Sequence, residues 1–193
     1  MNPQPITLIG HSIRLEPLRI EQTPALARAG QHPELWRLQP APIATEDDMH
    51  RYVKTALDDQ KHGSGLPFAI IDSASDRVIG STRYMDIALQ HFRLEIGATW
   101  LTPARQRSSA NTEAKLLLLT HAFESLGIKR VVFKTEGLNE QSRRALVRIG
   151  AVEEGTFRNH LYTTSGRARD MVYFSILGTE WPRVKAGLIA RLG

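Results

Sequence analysis

Glu95-Ile-Gly-Ala-Thr-Trp-Leu-Thr-Pro103, then Gln106-Arg-Ser-Ser-Ala-Asn111, and further on Asn139-Glu-Gln-Ser142 make up the stretch whose reading decides the fold. A strand runs into a loop of small residues, and the loop opens a helix. A second strand follows and ends in Asn-x-x-Ser at the start of another helix. A strand, a small-residue turn and a helix N-terminus form a device for holding phosphate oxygens. Backbone N–H groups point outward there, and the helix dipole adds partial positive charge. The second helix start brings an amide and a hydroxyl to the same cleft. The pattern predicts a phosphate-bearing ligand laid across splayed strands.

The rest of the chain sets bounds on this reading. Its 193 residues suit one large domain, taken as 1–193. With 41% hydrophobic and 23% charged residues it reads as globular. No apolar run reaches the length of a membrane span, so no membrane partner is expected. Met1-Asn-Pro-Gln-Pro5 has no basic segment followed by an apolar one, so no leader is expected and a cytoplasmic location fits. The absence of cysteine excludes disulfides, thiolate metal sites and a cysteine nucleophile. The histidines (His11, His32, His50, His62, His91, His121 and His160) show no metal-ligand spacing, so no metal is expected. The net charge of +5 comes mostly from arginines spread along the chain, with groups at Arg105/Arg107, Arg143/Arg144/Arg148 and Arg167/Arg169. A nucleic-acid surface would interleave basic residues with aromatics, and none are interleaved here. An anionic ligand explains the charge more simply.

Outward from the central stretch, Ser12–Pro17 alternates as a strand and Pro24–Ala29 reads as a short helix. Thr45-Glu-Asp-Asp48 is a helix start in which Thr45 caps and Asp48 returns the bond. Strands are expected at 66–71, 78–87 and 92–101, an antiparallel meander with Gly97 as a bulge candidate. Glu113–Leu126 reads as a helix burying Leu116, Leu117, Leu119, Ala122, Phe123 and Leu126, with Gly127 closing it. A strand at 130–135, a helix at 140–149, strands at about 152–162 and 169–177, and a terminal helix from Trp181 complete an α/β chain.

The order of elements, together with Asn139-x-x-Ser142-x-x-x-Leu146-x-x-x-Gly150-Ala151, Ile13-Arg-Leu-Glu-Pro17, Glu154-Gly-Thr-Phe-Arg-Asn159 and Glu180-Trp-Pro182, resembles the GNAT superfamily of acyl-CoA N-acyltransferases. The resemblance is to its RimJ/RimL-like branch, which contains ribosomal-protein N-terminal acetyltransferases, and it covers nearly the whole chain. It implies an α/β (α+β) fold: a mixed, mostly antiparallel twisted sheet of about seven strands, flanked by helices and splayed between the fourth and fifth. It also implies acetyl-CoA as acyl donor, bound in that gap, and direct transfer to an amine. The family's pyrophosphate loop is Gln/Arg-x-x-Gly-x-Gly/Ala, and Ser109 and Asn111 stand here where it has small residues. Glycine serves there by close approach and positive φ. Serine is the next smallest polar choice, and asparagine tolerates left-handed geometry. The plainer reading is a loop that only caps a helix through Ser109.

Acyl transfer to an amine needs a neutral amine, a polarised thioester carbonyl and a stabilised leaving thiolate. Glu95 is the candidate base, facing the acceptor if Leu94 and Ile96 face the core; the alternative is a carboxylate paired with Arg83 or Arg93. The resemblance implies that Ser142 lies near the sulfur as proton donor; otherwise it is a first-turn residue of its helix. Asn139 is expected to cap that helix and bond the pantetheine. Thr99, Trp100 and Leu101 are expected to offer their backbone to the pantetheine arm, and Gln106, Arg107, Ser108, Ser109, Ala110, Asn111 and Thr112 to hold the phosphates. His160 is a candidate at the acceptor mouth, while Tyr162, Tyr173, Trp36 and Trp181 read as packing or rim residues. The acceptor is a protein N-terminal α-amine or a small amine. The competing reading is a non-catalytic acyl-CoA-binding or regulatory module on the same fold. A homodimer is one state open to such an enzyme.

Overall fold

The computed structural model describes residues 3–193. Met1 and Asn2, which begin the segment read for a leader, lie outside the described residues. The elements follow the expected order: β1 (Leu8–Ile9), β2 (Ile13–Pro17), α1 (Thr23–Gly30), α2 (Glu46–Lys61), β3 (Leu66–Asp72), β4 (Arg77–Ala88), β5 (Arg93–Leu101), α3 (Ala110–Thr120), β6 (Arg130–Glu136), α4 (Glu140–Arg148), β7 (Val152–Tyr162), β8 (Ala168–Leu177) and α5 (Trp181–Ala190). The strands form one eight-stranded sheet in the order β1-β2-β3-β4-β5-β6-β8-β7. Among the described strands only β5 and β6 are parallel, because α3 carries the chain from one to the other as a crossover. The two-residue β1 was not expected, and it moves the parting, in chain order, to the fifth and sixth strands.

Strand β3 explains how the sheet is sandwiched. Every residue of Leu66–Asp72 is buried, which accounts for its unbroken apolar run. Leu66, Phe68 and Ile70 enter a core beneath α3 and α5, while Ala69 and Ile71 enter a second one beneath α1 and α2. The α2 start forms as expected: the Asp48 N–H donates to Thr45 Oγ1 at 3.1 Å, and the Thr45 N–H donates to Asp48 Oδ2 at 2.9 Å.

Helix α3 begins at Ala110, three residues before the expected start. Its end departs from regular geometry: His121–Ser125 widens into a π turn before Gly127, whose φ is 67°. The Tyr84 hydroxyl donates to the Leu118 carbonyl at 2.6 Å just ahead of this change. The buried positions of α3 include Ala114, Leu118 and Leu119, and also two charged residues, Glu113 and Lys115. Glu113 accepts the backbone N–H groups of His11 and Ser12 and the Ser12 hydroxyl, and so ties α3 to the β1–β2 turn.

Candidate active site

Strands β5 and β6 pair through Arg93–Arg130, Leu94–Val131 and Glu95–Val132, and no pairing continues beyond. The cause lies on β5. Opposite Ser81–Arg83 of β4 the register slips, because Ala98 takes a left-handed φ of 46°. This bulge turns the strand away from β6. The expected bulge at Gly97 therefore sits one residue on, at Ala98. Gly97 serves a different purpose. A Cβ there would meet the Glu95 carboxylate oxygen at 2.9 Å and Met85 Sδ at 2.8 Å. The residue is glycine to leave room for that carboxylate. The parting opens a cleft of about 1880 Å³ running from the 106–111 loop to the 35–43 segment.

Residues on the α3 face point toward one half of the cleft. The Gln106 side chain donates to the Leu101 carbonyl at 3.2 Å and turns the chain out of β5. Arg107 is the left-handed residue of the loop, with φ 58°. Ser109 has an ordinary helical φ of −65°, so the serine in place of glycine is unstrained. It is Ser108, not Ser109, whose hydroxyl caps α3: it accepts the Ala110 N–H at 3.2 Å and donates to the Arg105 carbonyl at 2.7 Å. The N–H groups of Arg107, Ser108 and Ser109 have no hydrogen-bond partner among the described residues. Three consecutive free N–H groups at a helix start fit an anion such as a diphosphate. Arg107, Ser108 and Asn111 line the cleft; Ser109 is exposed beside it, and Ala110 and Thr112 are buried in the helix packing. The Asn139 side chain accepts the Ser142 N–H at 3.0 Å and so caps α4. The Ser142 hydroxyl makes no hydrogen bond within the described residues and borders the cleft.

The three β5 residues expected along the cofactor are placed differently from one another. Thr99 Oγ1 lies 2.8 Å from Thr82 Oγ1 and accepts a hydrogen bond from Lys115 Nζ at 2.8 Å. Trp100 turns into the second core and packs edge-on against Trp36 at 5.3 Å. Leu101 turns into the first core. Lys115 was missed by sequence reading. It is 5% exposed, lines the cleft and has no carboxylate partner among the described residues, and burial alone lowers its pKa to about 7. The available signal was a lysine within the apolar face of a leucine-rich helix.

Glu95 lies on the opposite face, as expected from Leu94 and Ile96, which enter the α3-side core. It is 5% exposed, and burial raises its pKa against the pull of Lys134. Its ion-pair partner is Lys134 of β6 at 2.7 Å, not Arg83 or Arg93. Arg93 instead pairs with Asp86 at 2.6 Å, and Arg83 stands 3.8 Å from Asp59. The β5–β6 register brings Lys134 to Glu95, and a parallel register set through a crossover helix is not visible in consecutive residues.

A wall closes the far end of this half. The buried Glu136 binds Arg169 Nε at 2.7 Å and also pairs with Arg167. Burial works to raise the Glu136 pKa, but the two guanidinium groups outweigh it and hold the carboxyl below its usual range. Arg169 also donates to the Leu38 carbonyl at 3.0 Å, and the Thr164 N–H to the Pro40 carbonyl at 3.0 Å. The 35–43 segment is thereby tied to the β7–β8 hairpin. His160 lies 3.0 Å from the Tyr173 hydroxyl and packs on Phe157, and is not itself among the residues lining the cleft. Trp36 is a packing residue whose indole N–H donates to the Gly30 carbonyl at 2.9 Å. Among the described residues, no three His, Cys, Asp or Glu side chains cluster to hold a metal. No helix of the described residues is long and apolar enough to cross a membrane.

A family model of the acetyltransferase (GNAT) domain matches residues 12–152. The chain belongs to the GNAT acetyltransferase family. Among solved structures, this GNAT chain superposes on a GCN5-related N-acetyltransferase from Brucella melitensis with a TM-score of 0.92 and 32% identity, over 100% of this chain and 88% of the other. YdaF of Bacillus subtilis (strain 168), provisionally named a ribosomal N-acetyltransferase, is 39% identical over 89 residues, which are 46% of this chain and about half (48%) of YdaF. The uncharacterized N-acetyltransferase p20 of Bacillus licheniformis is 26% identical over 91% of this chain and 98% of p20. The Mycobacterium smegmatis RimJ, solved in complex with CoA-disulfide, shares the fold with a TM-score of 0.79 at 21% identity, over 93% of this chain and 88% of RimJ. The YdaF match supports the ribosomal N-acetyltransferase-like branch within the family, and the RimJ likeness shows the shared fold.

Proposed function

We propose that this GNAT chain transfers the acetyl group of acetyl-CoA to a primary amine, with a protein N-terminal α-amine as the favoured acceptor and small amines as the other class. The observation that carries this is the parting of β5 from β6, which leaves an unpaired strand edge between an anion-binding loop and a buried carboxylate. The free N–H groups of Arg107, Ser108 and Ser109 would hold the diphosphate of coenzyme A. The unpaired edge of β5 beyond Glu95 would hold its amide-bearing arm as an added strand does. Bound there, acetyl-CoA would supply the activated acyl group.

The chain's own residues then have separate roles. Glu95, raised by burial yet partnered by Lys134, accepts a proton from the incoming ammonium group and leaves a nucleophilic amine. The unpartnered Ser142 hydroxyl, at the positive end of α4, donates toward the departing sulfur. The relaxed geometry of Ser109 removes the motive for reading the loop as a degraded phosphate site. The test is calorimetric titration of the full chain with acetyl-CoA, followed by thiol release over a panel of amines and N-terminal peptides. Binding with amine-dependent release supports the enzyme. Binding without release on any acceptor supports the non-catalytic acyl-CoA-binding module instead, and absence of binding overturns both.

A further inference from the structure

Arg83 is a buried guanidinium that no group among the described residues satisfies. Its side chain is 8% exposed, yet it makes no hydrogen bond among those residues. Its ionic contact there is Asp59 at 3.8 Å, beyond hydrogen-bond reach, and Asp59 is itself 46% exposed. Its Nε is buried without a partner. The ring of Tyr52 lies 4.6 Å from the guanidinium carbon and holds the group in place. Arg169, another buried arginine of the cleft, uses its donors on Glu136 and the Leu38 carbonyl. A guanidinium carries five N–H donors, and burying them unused is costly. Arg83 borders the cleft, so an oxygen arriving there would relieve that cost.

Its position names the ligand. Arg83 sits opposite Gly97, and the next pair on the same face is Met85 with Glu95. The candidate base and the unsatisfied guanidinium are therefore diagonal neighbours on one face of two adjacent strands, their backbones roughly 7–8 Å apart, and both residues line the cleft. An acceptor that bonds Glu95 through its amine and Arg83 through an oxygen carries the two groups close together, and a carbonyl carbon next to the amine-bearing carbon supplies that oxygen. A second ammonium at the same place would meet a buried positive charge.

We propose that Arg83 binds the carbonyl or carboxylate oxygen next to the acceptor amine, so that the acceptor is an α-amino group, at a peptide N-terminus or on a free amino acid, and not a polyamine. This rests on the acetyltransferase reading above, and deepens it. The test uses the full chain with four probes: a trialanine amide, L-alanine, isopropylamine and spermidine. Each is assayed for thiol release with acetyl-CoA and, separately, for equilibrium binding by calorimetry without turnover. The α-amino probes should bind and react roughly 10- to 100-fold better than isopropylamine, the range a charge-assisted hydrogen bond confers. Arg83→Met should abolish that preference through KM, and Arg83→Lys should restore part of it. Retained acetyl-CoA affinity and a melting temperature no lower than that of the wild type would show that both variants fold. A preference for trialanine amide over L-alanine assigns the peptide source, and the reverse assigns the free amino acid. Isopropylamine or spermidine binding as tightly as the α-amino probes, or a preference that survives in Arg83→Met, overturns the proposal. Arg83-dependent binding of α-amino probes with no thiol release keeps this site and sinks the transfer reading, so the two failures are distinct.

Discussion

On the α3 side of the parting strands, buried charges are held by neutral groups; on the α2 side, they face other charges. Glu113 rests on backbone N–H groups and a hydroxyl, and Lys115 on the Thr99 hydroxyl. Across the sheet, Glu95 faces Lys134 and Glu136 faces Arg169. The two lysines show the consequence. Lys115, with no carboxylate partner among the described residues, is pushed by burial down to about 7. Lys134 suffers burial as well, but the Glu95 carboxylate outweighs it and raises the pKa above the usual lysine value. The same side chain thus tends toward neutrality on the α3 side of the cleft and toward a locked positive charge on the α2 side. In the proposed reaction the α2 side is where a cationic acceptor would give up a proton, and the Lys134 charge there opposes the effect of burial on Glu95.

The largest expected effect tests whether that pair is chemical or only structural. Glu95→Gln should lower kcat by about 10²- to 10⁴-fold, the range of general-base catalysis, with acetyl-CoA affinity unchanged. An unaltered rate would leave Glu95 as no more than the counter-ion of Lys134.

Lys115→Met probes the other face through stability. The folded pKa of about 7 lies below the unfolded value of 10.5, so the folded state favours the neutral amine. Between those values the unfolded chain holds a proton that the folded chain has released, and wild-type stability rises with pH. The methionine variant should therefore be more stable by about 5 kcal/mol below pH 7, with the gap closing toward pH 10. Urea unfolding of both proteins at several pH values reads this directly. A gap independent of pH would mean that the amine reaches water, and the contrast between the faces would disappear.

Lys134→Met sharpens the contrast from the opposite side. Without Lys134, burial of Glu95 is opposed only weakly, by Arg93, and its pKa rises further, so the acid limb of the kcat/KM profile should move to higher pH. No movement would show that the pair does not tune the base. The smallest effect is expected for Ser142→Ala: about a 10-fold loss of kcat, with acetyl-CoA affinity retained, as befits one donor assisting a leaving group that is already a stable anion. A comparable loss of cofactor affinity would make the hydroxyl a binding group instead.

Much of the fold was legible because it is written in adjacent residues. The run at 66–71, the Thr45–Asp48 capping box and the Asn139 cap before Ser142 each depend on neighbours a few positions apart, and all form as read. The loop was legible in outline and misread in detail. The substitution of serine for glycine drew attention to Ser109, but the left-handed residue is Arg107 and the capping hydroxyl belongs to Ser108. Backbone angles at single loop positions follow from how the flanking strand and helix must join. The alternative reading paired Glu95 with Arg83 or Arg93, whereas proximity across the sheet selected Lys134.

The sequence by itself determined the order of elements, the family and the position of the small-residue turn before α3, because periodicity, caps and turn chemistry act over a few consecutive residues. Only the tertiary structure decided which charges share a face and which are left without a partner. That outcome depends on the β4–β5 slip at Ala98 and on the parallel register reached through α3. These long-range geometries set which side chains lose water together, and so which lysine keeps its proton and which arginine waits for an oxygen from outside.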